Sequence, residues 1–185
     1  MGRLIVSTQM TVDGLIEVGD WFHQGGEDDT HGSFDQLFAA DAMLLGRKTY
    51  EGLAAYWPTA TDDRGFADRV NSMPKHIAST TLDEPLEWNS TLIKGDLTEA
   101  IPDLKQRYRG NLVSYGCGEL AYHLVKLGLV DELRFWIHPS VFGGGARPFH
   151  GAAPIPLDLV STTTYRSGVA LLCYRPASAD NAKEI

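Results

Sequence analysis

Leu44-Leu45-Gly46-Arg47-Lys48-Thr49-Tyr50 is the stretch on which the reading of this chain turns. An apolar run stops at a glycine, and two cations and a hydroxyl follow. The pattern is that of a buried strand turning tightly into a helix. The first N–H groups of a helix lack internal partners and carry a partial positive charge. Arg47 can fork onto a phosphate, Lys48 adds a point charge and Thr49 offers a hydroxyl. The plainer alternative is a solvated turn, and the rest of the sequence has to decide between them.

A second junction of this kind is Ser114-Tyr115-Gly116-Cys117-Gly118-Glu119-Leu120. Two glycines between a strand and a helix let bare backbone approach a pyrophosphate. This is not the GxGxxG fingerprint, because position 121 is Ala and no acidic residue follows in a strand-end setting. Packing of a tight turn is an equal alternative. Parallel strands of one sheet would bring both junctions to the same edge. Between them Ser79-Thr80-Thr81 follows Lys75-His76-Ile77-Ala78. Its hydroxyls suit either a phosphate ester or a polar loop.

The surrounding pattern alternates strand and helix. Residues 3–10 read as a buried first strand and 33–41 as a short helix, with Ser33 and Gln36 as a capping box. Residues 42–46 form a strand, and a helix from Thr49 is stopped by Pro58. Strands follow at 75–80, 90–95 and 111–116. Helices follow at 96–110, capped by Asp96 or Thr98, and at 118–128, stopped by Gly128. Residues 131–142 alternate apolar and polar. The last strands flank a turn at Arg166-Ser167-Gly168. The expected fold is α/β: a central, mostly parallel sheet of about eight strands, flanked by about four helices and closed by an antiparallel hairpin.

The chain has 185 residues and formal net charge -8. Residues 1–177 are expected to form a single domain and 178–185 a polar tail. An acidic chain argues against nucleic acid as a partner but leaves room for a small phosphorylated ligand. Cys117 and Cys173 stand far apart with no metal-like spacing, which fits a reduced, cytoplasmic protein. The opening apolar run is too short and polar for a signal peptide or a membrane span. Glu27-Asp28-Asp29-Thr30-His31 with His23 matches no metal motif, so no metal is expected.

Four runs now resemble a known family: Leu44–Leu53 (LLGRKTYEGL), His76–Thr81 (HIASTT), Leu92–Ile101 (LIKGDLTEAI) and Tyr115–Val125 (YGCGELAYHLV). Their order and spacing resemble the dihydrofolate reductase fold. Residues 118–149 and Ser7–Ile16 (STQMTVDGLI) are more similar still to the C-terminal reductase domain of bacterial riboflavin biosynthesis, the RibD C-terminal-like family. The resemblance spans roughly residues 3 to 175.

It implies a dihydrofolate reductase-like fold, NADPH as cofactor and hydride transfer to a small heterocyclic or carbonyl substrate. The relative is 5-amino-6-(5-phosphoribosylamino)uracil reductase. By the same resemblance Gly46, Arg47, Lys48 and Thr49 meet the cofactor's phosphates, and Ser79 and Thr80 flank its 2′-phosphate. Lys94 and Gly95 lie near the adenine. Gly116, Cys117, Gly118, Glu119 and Leu120 line the pyrophosphate, and Gln9 and Ile16 the nicotinamide. A homodimer is implied too.

Asp13, next to Gly14, falls where the riboflavin-type reductases carry an aspartate near the substrate. It can orient substrate or relay a proton, or simply form an Asp-Gly turn. Trp21 and Phe34 can wall a flat ring or belong to the core. The carboxylate that dihydrofolate reductases carry early in the first helix falls near Thr30, which weighs against a pterin reductase. Cys117 stands where that enzyme has a second glycine, so an unusual peptide bond there would be strained. Its place before a helix would favour a lowered thiol pKa. The zinc deaminase signature of the bifunctional riboflavin enzyme is absent. A nucleotide-binding module without turnover is the competing class.

Overall fold

The computed structural model describes residues 1–16, 27–62 and 64–177, with the backbone alone for 27–31. Trp21, His23 and the tail lie outside the described residues. The elements run β1 (Leu4–Thr11), α1 (Glu27–Phe38), β2 (Ala40–Gly46), α2 (Arg47–Tyr56), α3 (Phe66–Ser72) and β3 (Lys75–Ala78). They continue with β4 (Ser90–Leu92), α4 (Leu97–Arg107), β5 (Asn111–Tyr115), α5 (Glu119–Lys126), β6 (Glu132–His138), β7 (Leu157–Thr164) and β8 (Ala170–Pro176). The eight strands lie in the order β4-β3-β2-β5-β1-β6-β8-β7. Pairing is parallel for β2 with β3 and β5, β3 with β4, and β1 with β6. It is antiparallel for β6 with β8 and β8 with β7. The expected α/β sheet with a closing hairpin is the fold observed.

By internal contacts the chain forms two compact units. One comprises Met1–Leu4 and Ser33–Tyr115, the other Ile5–Gly32 and Gly116–Ile185. The first is built on β2, whose Ala42, Met43, Leu44 and Leu45 are all buried. A strand buried on both faces is what a parallel sheet covered by helices demands. Leu37, Met43, Leu45, Val70, Met73, Ile77 and Val113 form its core. Each such side chain contributes about 1.5–3 kcal/mol by leaving water. Lys75 is buried in the same unit. Its Nζ donates to the Asn71 carbonyl at 2.9 Å and sits 4.0 Å over the Trp88 ring. Burial pushes this ammonium down to about 8.

In the second unit Ile5 to Thr11 pair in register with Glu132 to His138. Trp136 is buried there, and its indole N–H donates to Ser7 Oγ at 3.1 Å. Gly32 lies against this tryptophan. A Cβ at position 32 would collide with the Tyr165 hydroxyl and reach 3.0 Å from the Trp136 ring. Gly32→Ala is therefore expected to destabilise the protein by about 1–3 kcal/mol through overpacking. That outweighs the roughly 0.5–1 kcal/mol alanine gains in a helix interior. Denaturant unfolding checks the sign.

Several boundaries differ from expectation. The first helix begins at Glu27, so Ser33 lies inside it and forms no capping box. An acidic first turn suits a helix N-terminus and explains the earlier start. α2 begins at Arg47 rather than Thr49. Asp96, not Thr98, caps α4, accepting from the Thr98 N–H at 2.7 Å. α3 brings the α-helices among the described residues to five and was not anticipated. Asp62 nucleates it by accepting N–H bonds from Arg64, Phe66 and Ala67.

Candidate functional site

Strand register sets the edge of the first unit. Gly46 pairs with Ala78, and Ile77 with Leu92. The turns at 46–49, 79–81 and 94–95 therefore leave the same end of three parallel strands. Gly46 is the N-cap of α2 in extended conformation and makes no side-chain cap. The opening N–H groups of α2 thus lack a capping side chain, the arrangement that attracts an anion.

The cations there are only partly free. Arg47 Nε meets Glu51 Oε1 at 2.7 Å, and Nη1 donates to Thr81 Oγ1 at 2.8 Å. The guanidinium thereby ties the first junction to the hydroxyl loop. Lys48 is exposed and, among the described residues, has no hydrogen-bond or ion-pair partner. Thr49 is half-buried. Ser79 Oγ accepts from the Thr81 and Leu82 N–H groups, both at 3.1 Å, so it closes its own loop. Thr80 is exposed. Lys94 Nζ pairs with Glu84 Oε2 at 2.6 Å. Gly95 has φ +86, a backbone a side chain rarely adopts.

The second unit carries the glycine junction. Gly116 has φ 90, and its N–H donates to the Ser7 carbonyl at 2.9 Å. Gly118 caps α5 in extended conformation without a side-chain bond. Exposed Glu119 places a carboxylate in that first turn, which offsets the positive end of the helix. Leu120 is half-buried.

Cys117 is buried, and its thiol is pushed up to about 12 by burial, against a lowering hydrogen bond from Thr8. The lowered pKa expected before a helix is overruled by desolvation. Glu84–Pro85 is the one cis bond among the described residues, and the positive φ falls on Gly116. The strain anticipated at Cys117 is absent.

Gln9 Oε1 lies 2.7 Å from His138 Nε2, and the Ile16 N–H donates to the Ala146 carbonyl at 3.0 Å. Asp13 lies between them in sequence. It accepts from the Thr11 hydroxyl at 2.6 Å and the Gly143 N–H at 2.7 Å, with the Phe142 N–H at 3.3 Å. The Thr11 hydroxyl first, then the Gly143 N–H, hold its carboxyl down to about 2. Asp13 is thus ionised at neutral pH, which suits holding or orienting and not donating a proton. Asp13→Asn is expected to speed amide exchange at Phe142 and Gly143, because charge-assisted acceptors are the stronger ones. Unchanged protection there would refute the clamp.

Phe34 is half-buried, with its ring 4.7 Å from Phe66 and 6.1 Å from Phe38. Sequence reasoning missed the partners: Glu51, Thr81, Glu84, His138 and Phe66. Glu51 was accessible, four residues after Arg47 on a helix. Glu84 and His138 depend on strand register. Among the described residues no His, Cys, Asp or Glu group is placed to hold a metal, and no helix is long and apolar enough to cross a membrane.

Comparison with known proteins fits this geometry. The chain is 32% identical over 180 residues to the uncharacterized protein YyaP of Bacillus subtilis, covering 93% of this chain and 94% of that one. A putative riboflavin biosynthesis protein from Shewanella sp. PV-4 superposes with a TM-score of 0.76 at 20% identity, over 95% of this chain and 99% of that one. Dihydrofolate reductase from Enterococcus faecalis, solved in complex with NADP(H), superposes with a TM-score of 0.61 at 16% identity, over 96% and 98%. These structural likenesses establish the fold. The description of the RibD C-terminal domain matches residues 3–171, and the chain belongs to that family.

Proposed function

We propose that this protein is an NADPH-dependent reductase that transfers a hydride to a small heterocyclic or carbonyl substrate. The observation that carries this reading is the start of α2. Its N–H groups lack a capping side chain, Lys48 has no partner among the described residues, and Arg47 is braced against Thr81. Such a turn fits a phosphate, and the neighbouring hydroxyls of Ser79 and Thr80 fit the ester of a 2′-phosphate. Lys94 and Gly95 would meet the adenine. Gly116, Cys117, Gly118, Glu119 and Leu120 would offer backbone to the pyrophosphate. Gln9 and Ile16 would border the nicotinamide.

When bound, the nicotinamide supplies the hydride, as in other cofactor enzymes where the protein contributes orientation and electrostatics. A substrate C=N or C=O carbon would take that hydride, and its nitrogen or oxygen would take a proton from solvent. Asp13 would orient the substrate rather than protonate it. That same feature favours the second reading, a nucleotide-binding module without turnover.

Titration with NADPH and with NADH separates the readings from a negative result. Tight preference for NADPH is expected, and equal binding or none would overturn the proposal. Loss of NADPH absorbance across a panel of pyrimidines, pterins and carbonyl compounds then distinguishes enzyme from binding module. The homodimer implied by the resemblance belongs to the same proposal and is checked by sedimentation.

A further inference from the structure

A cavity of about 320 Å³ opens between α4 and the β3–β4 end of the sheet, wholly within the first unit. Side chains alternate along a strand. His76 therefore points away from the core on which Ile77 packs, and lines this space. Tyr50 and Leu53 of α2 belong with Ile77, so the cavity and α2 lie on opposite faces of the sheet. The volume suits a small ligand.

The floor is apolar and uncharged. Leu92, Ile93, Ala100 and Leu104 line it, and Leu104 is buried. His76 is buried as well, with Nε2 2.8 Å from the Tyr108 hydroxyl oxygen. Burial first, and then the nearby Arg107 charge, hold the imidazole below its ordinary pKa and keep it neutral at pH 7.

The rim is charged. Glu99, Asp103 and Arg107 line the cavity at four-residue intervals on α4. They share one helix face, with neighbouring Cβ atoms about 5–6 Å apart. Asp103 and Arg107 stand at the spacing of a helix ion pair and do not form one. Among the described residues none of the three makes a hydrogen bond or an ion pair. The other charges are engaged. Lys94 Nζ pairs with Glu84 Oε2 at 2.6 Å, and Asp96 caps α4. The Glu84 carboxylate also accepts from the Leu92 N–H, so the outer edge of β4 is already met. A free acceptor and a free donor thus stand one helical turn apart above an apolar floor.

We propose that this cavity binds the zwitterion of an apolar α-amino acid. Its ammonium meets Asp103 and Glu99, its carboxylate meets Arg107, and its side chain lies against Leu92, Ala100 and Leu104. Two opposite charges carried on one carbon match this rim better than either charge alone. A phosphate would face two carboxylates, and a simple amine would leave the guanidinium unmatched. A charged side chain on the floor would lose its hydration without gaining a partner. The inference is independent of the reductase reading, since none of these residues is assigned to the cofactor.

The test is calorimetric titration of the full chain with L-leucine and three fragments of it. 3-Methylbutylamine lacks the carboxylate, 4-methylpentanoate lacks the ammonium, and glycine lacks the side chain. L-Leucine is expected to bind at least tenfold tighter than each. Arg107→Gln should weaken L-leucine about tenfold and leave 3-methylbutylamine within twofold. Asp103→Asn should weaken both. Asp103 and Arg107 are exposed, so these variants keep the fold, which urea melts check. No heat from millimolar L-leucine would overturn the proposal. So would equal binding of 3-methylbutylamine, which would reduce the rim to an acidic surface, or an unchanged L-leucine affinity in Arg107→Gln. L-Leucine binding by a chain that binds no NADPH would sink the reductase reading and leave this site standing.

Discussion

Arg47→Ala is expected to weaken NADPH binding about tenfold to a hundredfold while NADH affinity stays within twofold. A hydrogen bond to a charged group contributes about 1.5–3 kcal/mol, and each 1.4 kcal/mol is about tenfold in affinity. The arginine is held in place before any ligand arrives, by Glu51 at 2.7 Å and Thr81 at 2.8 Å. Little side-chain entropy is left to lose on binding. Truncation removes both the donor and its bracing of the hydroxyl loop. Lys48→Ala should cost less, since a flexible, exposed ammonium must be ordered by the ligand. Fluorescence titration of both cofactors against both variants measures this. A parallel loss for NADPH and NADH would place Arg47 away from the 2′-phosphate.

The second expected result is an alkaline stability profile shaped by two buried groups of opposite sign. Lys75 titrates at about 8 in the folded chain against 10.5 unfolded, because burial penalises its charge. Between those values the unfolded chain holds the extra proton, so stability rises with pH. A shift of that size corresponds to about 3 kcal/mol. Cys117 titrates at about 12 folded against 9.0 unfolded. Its contribution is complete below pH 9 and is lost as pH rises toward 12. Wild-type stability should therefore climb from pH 8 to about 9 and flatten above that, as the two contributions oppose each other. Lys75→Met should remove the climb and leave a decline above pH 9. At pH 7 the net change in Lys75→Met should be small. Relief of a buried charge is offset by loss of the Trp88 contact and by an unsatisfied Asn71 carbonyl. Urea melts across pH 7–10.5 provide the comparison, and a variant profile parallel to wild type would refute the assignment to Lys75.

What the sequence disclosed follows from range. Leu44-Leu45-Gly46-Arg47 was legible because a buried strand, a turn and a helix start are written in adjacent residues. The hairpin around Arg166-Ser167-Gly168 was legible for the same reason. α3 was not, because one side chain, Asp62, organises it rather than an apolar period. The start of α1 was hidden because Glu27-Asp28-Asp29 reads equally as a solvated run and as an acidic helix turn. At the candidate site, residue types were readable but their partners were not. The Arg47–Thr81 bond depends on β2 lying beside β3, and Lys94–Glu84 on the placement of β4. Cys117 shows the limit most clearly, since its place before a helix suits a lowered thiol pKa and burial reverses the direction.

The register of β1 has a consequence for how the chain comes to be folded. Ile5, Val6 and Ser7 lie opposite Glu132, Leu133 and Arg134. β1 must wait for a neighbour encoded more than a hundred residues later, on the order of ten seconds at ordinary translation rates. Until then Leu4, Ile5 and Val6, buried in the finished protein, are open to wrong partners. Pairings so distant in sequence slow folding, because loop closure precedes the contacts that reward it. The nascent chain is thus exposed to misassembly at β1, and a holding chaperone would find its target in that tripeptide.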